Sequence, residues 1–494
     1  MHPINQPSTS GLAARALRAA GWAAVESMGG QCISFGVFLV MARLLTPADF
    51  GTVALANIYV AFSQALIFQG LGQAIIQKAA LAREDLEAAF WINLALGIAA
   101  AGATLLVCEP VARWFHSPHL ADLLRWLSPI FILSALADVQ ANLLAREFAF
   151  KPLAVRTVAA FSCGGAAGIV MARAGFGVWS LAGQQLVVSA LNAALLWAAS
   201  PWRPRLRFST PHARVMWRFS SRLMGHELVS LASRRSDQFF IGKYMDAAAM
   251  GAYAVAARVS TLLSEIVVRS LTRVSLASLA RMQTEPQRLG AAFSRILQMQ
   301  MCLILPLAAG LGVFAREIVL AAVGPQWIAA APAMRILLLA IPLESLSALN
   351  AAAIIARGRP GWVSLLTCYH AALNVALFAV FARWGLTAVA AAYVLRAAIL
   401  YPVELVWLRR LIPVPIFRLC LSLLPPFLAT VVMAGLDILV RASVPPGTPL
   451  FLTLFYGLLA SVASYSATLA ILRRDLLFEL WNCLKILRTR AVPA

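Results

Sequence analysis

The sequence predicts an all-α polytopic membrane protein of about fourteen transmembrane helices: two six-helix bundles in a parallel pseudo-two-fold repeat, plus two C-terminal helices. Three observations carry this. The 494 residues are 61% hydrophobic and only 12% charged, with a mean hydropathy of +0.80, whereas soluble domains run near 45–50% apolar and about 25% charged. Apolar runs of about 20 residues, the length that crosses a bilayer core, recur along the whole chain. Short stretches from its first half reappear, in order, in its second.

The runs fall near 22–41, 52–71, 89–108, 122–143, 154–173, 178–199, 218–241, 250–272, 290–312, 331–355, 362–382, 386–408, 420–440 and 449–471. They divide the chain into an N-terminal segment (1–21), a first bundle (22–200), a basic linker (201–217), a second bundle (218–408), two additional helices (409–472) and a basic tail (473–494). The connections are short and hold no extra domain. Segment 78–88 (KAALAREDLEA) reads as a short surface helix between the second and third spans.

A net charge of +21 would point to nucleic acid in a soluble protein, but here most basic residues lie in short loops, so no nucleic-acid partner is expected. With both termini in the cytoplasm, the linker (Arg203, Arg205, Arg207, Arg214) and the tail (Arg473, Arg474, Lys485, Arg488, Arg490) fall on the side that the positive-inside rule favours, where membrane lipids with anionic headgroups are their partners. Seven cysteines (32, 108, 163, 302, 368, 420, 483) are scattered singly, without metal-ligand spacing. No metal or cofactor is expected.

The repeat shows in two places. RLLTPADFGTVALA from Arg43 matches KYMDAAAMGAYAVAA from Lys243 at an offset of 200, pairing Gly51 with Gly251. GFGVWSLAGQQ from Gly175 matches RWGLTAVAAAY from Arg383 at an offset of 208. Six helices are an even number, so both copies enter the membrane in the same sense, the parallel-repeat arrangement.

Spans seven and eight are unusual because they carry charge. A charge at the bilayer centre costs about 3 kcal/mol on insertion scales, so these helices are expected to face a wet cavity. At about 100° per residue, Arg222, His226, Ser230, Ser233, Arg234 and Asp237 share one face of the first. Arg258, Thr261, Glu265, Arg269 and Thr272 share one face of the second. Arg222, Arg234, Arg258, Arg269 and His226 are therefore candidate substrate-binding residues, and Glu26, Glu227, Asp237 and Glu265 candidate ion-coupling acids. No residue is expected to be catalytic. Asp138, Glu344, Arg396, Glu404 and Asp437 are further intramembrane charges, and His370 reads as a satisfied packing residue. Prolines inside spans, Pro129, Pro306, Pro342, Pro402, Pro425 and Pro426, allow bends.

ARLLTPADFGTVALA (42–56), GFGVWSLAGQQ (175–185), DQFFIGKYMDAAAMGAYAVAARVS (237–260), PLAAGLGVFAREIVLAAVGPQW (306–327) and IIARGRPGW (354–362) resemble the polysaccharide flippases of the multidrug/oligosaccharidyl-lipid/polysaccharide exporter superfamily, nearest its colanic-acid-exporter-like branch. The resemblance covers about residues 20 to 410. It implies a multi-pass bacterial inner-membrane protein that moves undecaprenyl-pyrophosphate-linked oligosaccharide repeat units across the membrane by ion-coupled alternating access, for exopolysaccharide, capsule or O-antigen assembly. A polysaccharide polymerase and chain-length machinery are candidate partners. The residues suit that substrate: a pyrophosphate wants arginine, and a hydrated glycan wants a polar cavity. Two rivals are a small-molecule exporter of the same superfamily, which would favour acids over arginines, and a membrane enzyme of polysaccharide assembly, which would need a longer loop than any here.

Overall fold

In the computed structural model, residues 19–68, 71–78, 81–445 and 447–479 are described. Among them are fourteen long helices, one at each expected span: α1 (Ala19–Leu44), α2 (Pro47–Phe68), α3 (Arg83–Trp114), α4 (Pro118–Arg146), α5 (Phe150–Arg173), α6 (Val178–Ala199), α7 (Thr210–Tyr244), α8 (Ala247–Ala280), α9 (Pro286–Val313), α10 (Ala330–Ala356), α11 (Pro360–Phe381), α12 (Leu386–Arg409), α13 (Ile416–Ser443) and α14 (Leu450–Leu472). Twelve are long and apolar enough to cross a membrane. The other two are α2, with 22 residues, and α7, with 35 residues whose apolarity is diluted by its charges.

Two boundaries differ from the sequence expectation. The short helix between α2 and α3 is Leu71–Gln77, not 78–88, and Arg83 onward is already α3. Asp85 explains the shift: its Oδ2 accepts the N–H of Ala82 at 2.9 Å and pairs with Lys78 at 2.5 Å, capping α3 a full turn before its apolar run begins. Pro129 does not bend a continuous α4 but restarts it. The helix breaks at Ser128, and Pro129 takes the first position of the second half, where its missing N–H costs nothing.

The chain divides into two compact units, residues 1–251 and 252–494. In the first, α5 runs along α6 and α1. Glycines allow this: a Cβ on Gly164 would strike Val188 of α6, and one on Gly165 would strike Val37 of α1. Small residues of this kind let helix backbones approach in lipid. The same unit holds a closer contact still. Gly51 and Gly251 are the fifth residues of α2 and α8; a Cβ on Gly51 would land on the carbonyl oxygen of Ala247, and one on Gly251 on that of Pro47. The contact is reciprocal, as a two-fold relation between these two turns requires. α7 packs on α2 and α3 here, with Gly242 against Leu55 and Phe115.

In the second unit, α10 packs on α9 and α12 around Leu297, Met301, Leu349, Ala353 and Leu408. The additional helices α13 and α14 lie on α9, and Asp437 is fully buried between them, accepting a hydrogen bond from Ser461 at 2.7 Å. That hydrogen bond gives Asp437 a structural role and keeps it off the lipid.

Hydrogen bonds inside each unit repeat with the sequence. Asn93 of α3 donates to Asp138 of α4, and Gln300 of α9 donates to Ser345 of α10, both pairs 45 residues apart. Arg146, ending α4, donates to the carbonyls of Ile75 and Lys78, and Arg357, just beyond α10, donates to that of Gln283. Arg146 thus closes the connection that precedes α3, and Arg357 the one that precedes α9. Gly177 and Gly385, one residue before α6 and α12, have φ of 53° and 101°, a region open to glycine and costly to other residues.

Candidate functional site

The charged face of α7 assembles from its own spacing. Glu227 and Arg234 are seven residues apart, two helical turns, and their side chains meet at 2.5 Å (Oε1 to Nη2), with Ser230 between them accepting a second bond from Arg234. The pair is open on one side: the Arg234 side chain is 54% exposed. Asp237 is buried, its Oδ1 accepting the N–H of Gln238 at 2.8 Å. Arg235 points elsewhere and donates to Gln238. The side chains of Arg222 and His226 lie outside the described residues.

On α8, in the second unit, Arg258 is half-buried, and Glu265 pairs with Arg269 at 3.5 Å across one turn. Arg269 is 64% exposed. The turn that carries Glu265 is not α-helical. Residues Ser264–Val268 form a π turn, and α1 has another at Val25–Gly29, which carries Glu26. Such bulges gather at functional sites, and here each holds one of the acids singled out above. Glu26 accepts from Arg156 of α5 at 3.0 Å, with Thr157 at 3.4 Å. Gly30 makes that approach feasible, since a Cβ there would lie 2.8 Å from the Thr157 methyl.

Sequence reasoning named Glu227 and Glu265 as candidate acids and Glu344, Arg396, Glu404 and His370 as intramembrane polar residues, but it did not name Arg156 and did not bring together the residues of the second unit. There His370 Nε2 sits 2.7 Å from Glu404 Oε1, and Asn350 donates to the other oxygen at 3.3 Å. His370 is thus satisfied, as expected, by an acid on the next helix, α12, 34 residues distant in sequence. Glu344 meets Arg396 at 3.4 Å and the Tyr393 hydroxyl at 2.5 Å. Arg156 and Thr157 are an adjacent polar pair inside an apolar span, which was the one signal that marked them. Among the described residues, no three His, Cys, Asp or Glu side chains are grouped as a metal site.

Chemically, the faces of α7 and α8 offer guanidinium groups held by carboxylates and still accessible. A planar guanidinium binds phosphate through two parallel hydrogen bonds, so an anionic group can replace the carboxylate without leaving the arginine unpaired, and the freed carboxylate can then take up a proton or cation.

Three comparisons bear on these observations. Residues 40–332 match the model of the polysaccharide biosynthesis protein family. The chain is 30% identical over 322 residues to the succinoglycan biosynthesis transport protein ExoT of Rhizobium meliloti (strain 1021), covering 65% of each chain. It is 22% identical over 329 residues to the lipopolysaccharide biosynthesis protein WzxC of Escherichia coli (strain K12), covering 65% of this chain and 66% of that one. It thus matches a little under two thirds of the length of these curated relatives. Among solved structures, the lipid II flippase MurJ in an inward closed conformation superposes with a TM-score of 0.76 over 92% of this chain and 99% of that one, at 13% identity. That likeness establishes the fold. With more than half its length matched by the family model, this multi-pass helical membrane chain belongs to the polysaccharide biosynthesis protein family.

Proposed function

We propose that this protein is a flippase: it carries undecaprenyl-pyrophosphate-linked oligosaccharide repeat units from the cytoplasmic to the periplasmic leaflet of a bacterial inner membrane, for surface polysaccharide assembly. It is a transporter and not an enzyme. The observation that carries the reading is the presence of accessible arginine–carboxylate pairs, Arg234–Glu227 and Arg269–Glu265, on helices otherwise built for lipid. A pyrophosphate is the anion such forks suit, and intramembrane charges of this kind mark substrate and ion pathways. Support of a different sort comes from ExoT, named a transport protein, and from the fold shared with MurJ. Arg222, Arg234, Arg258, Arg269 and His226 bind the substrate in this proposal, and Glu26, Glu227, Asp237 and Glu265 exchange the coupling ion. A polysaccharide polymerase and chain-length machinery take the product onward.

A deletion strain tests the function. It will accumulate lipid-linked repeat units on the cytoplasmic leaflet, and the wild-type gene will clear them; export of the polysaccharide at normal levels without the gene would remove the proposal. Orientation is tested separately. Reporter fusions within 203–214 and at Ala494 will report cytoplasm, and fusions near Pro118 and Gly447 periplasm, as the basic loops require. A periplasmic signal from the linker would reverse the proposed direction of transport.

A further inference from the structure

The hydrogen bond that joins the third and fourth helices of each repeat is made by different chemistry in the two units. In the second unit it is neutral, Gln300 to Ser345, both buried. In the first it is Asn93 to Asp138, at 2.8 Å from Nδ2 to Oδ2. The same scaffold bond therefore forms without a carboxylate, so the charge at 138 is surplus to holding the helices together.

The surroundings of Asp138 suit a group that changes its charge. Asn142 donates to its other oxygen, Oδ1, at 3.0 Å, and also to its main-chain carbonyl at 2.8 Å. No ion pair reaches Asp138 among the described residues. Charged groups on the packed elements are engaged elsewhere. Arg146 lies eight residues further along α4, about 12 Å along the axis, bound to the Ile75 and Lys78 carbonyls. At the head of α3, Asp85 pairs with Lys78 and Glu87 with Arg83. On α5, Arg156 is bound to Glu26. The other neighbours are neutral: Gln64 of α2 on Ser134, the Trp197 indole of α6 on the Leu136 carbonyl, and Gly72, whose lack of a side chain makes room for the Asn142 amide.

Asn93 supplies the means of reading the charge. It is fully buried, and its Oδ1 has no hydrogen-bond partner among the described residues. With Asp138 ionised, the Asn93 amide donates. With a proton from the aqueous phase on Oδ2, the new O–H donates to Oδ1 of Asn93 once the amide turns over. Each state satisfies one end of that amide and leaves the other without a partner. The two states are thereby matched in hydrogen bonds and differ by one charge, the balance an exchangeable proton needs.

We propose that Asp138 binds a proton that this protein exchanges during transport, with Asn93 and Asn142 as the groups that sense it. The coupling role rests on the flippase reading above; proton binding itself does not. The test is acid titration of the purified full-length protein in lipid nanodiscs, followed by infrared difference spectroscopy. Acidification will raise a carboxylic-acid C=O band that is lost in both Asp138→Ser, which copies the second unit, and Asp138→Asn, and kept in Glu344→Gln. In cells, the serine variant will reach wild-type abundance but lose polysaccharide export at least tenfold. A folded variant with the band intact would overturn the proposal, and so would normal export from it. Failure of both variants to fold would also overturn it, because a neutral pair then could not replace the carboxylate in the scaffold. Should the deletion strain above export normally while the band behaves as expected, the flippase reading falls and proton binding stands.

Discussion

Valine at Gly51 or at Gly251 will leave little folded protein, whereas valine at Gly102 will leave the yield unchanged. Each of the first two glycines faces a main-chain carbonyl across the crossing of α2 and α8, and a new Cβ would occupy the position of that oxygen. A flexible side chain could step aside; a helix backbone cannot move without drawing its whole helix with it. Overpacking costs about 1–3 kcal/mol where side chains can adjust, and this contact belongs at or beyond the top of that range. Gly102 has nothing within 4 Å and controls for the loss of glycine itself. Thermal unfolding and size-exclusion profiles of the detergent-purified variants make the measurement. A Gly51→Val protein as stable as wild type would mean that α2 and α8 do not cross at these turns.

The second large effect is expected at the arginines. Arg258→Lys and Arg269→Lys will insert and accumulate normally, yet the double variant will export poorly, while Arg235→Lys will export as wild type. Lysine keeps the charge that Glu265 meets on α8 but loses the planar fork that holds a phosphate through two bonds. A hydrogen bond to a charged group contributes about 1.5–3 kcal/mol, and about 1.4 kcal/mol is tenfold, so loss of one from each arginine predicts a drop of tenfold or more. Arg235 is engaged with Gln238 on its own helix and serves as the internal control. Export assayed beside protein abundance separates lost binding from lost folding. Normal export from the double variant would return Arg258 and Arg269 to structural pairing.

How much of this was legible beforehand follows the range of each interaction. The helices were readable because an apolar run is a property of one segment, and all fourteen expected spans hold a helix. The start of α3 was misread because residues 78–88 are polar for a reason local to one cap, Asp85 on the Ala82 N–H. Pairings between helices were a different matter. Glu26 with Arg156, His370 with Glu404, and Asn93 with Asp138 join residues 130, 34 and 45 positions apart, and periodicity within a helix carries no information about its neighbour. The faces of α7 and α8 were approached through periodicity alone. It set Arg234 and Asp237 on one face of α7 and Glu265 and Arg269 on one face of α8, but it gave neither Glu227 as the partner of Arg234 nor the burial of Asp237.

The π turns at Val25–Gly29 and Ser264–Val268 have a bearing on how these helices tolerate change in length. A π turn hydrogen-bonds five residues back where an α turn bonds four, so each holds a spare residue that the surrounding helix does not need. Deleting one residue from either stretch would let the backbone close into uninterrupted α-helix, and the tighter α turn would make up most of the rotation the lost residue carried, so side chains on the two sides would keep nearly their present relation. Arg269 would then keep nearly its present direction, whereas a residue deleted from the α-helical stretch between Arg258 and Ser264 would turn it by about 100°. Among relatives, a one-residue gap in either place would therefore leave the charged face in register, whereas the same gap in an α-helical stretch beside it would signal a re-aimed charge.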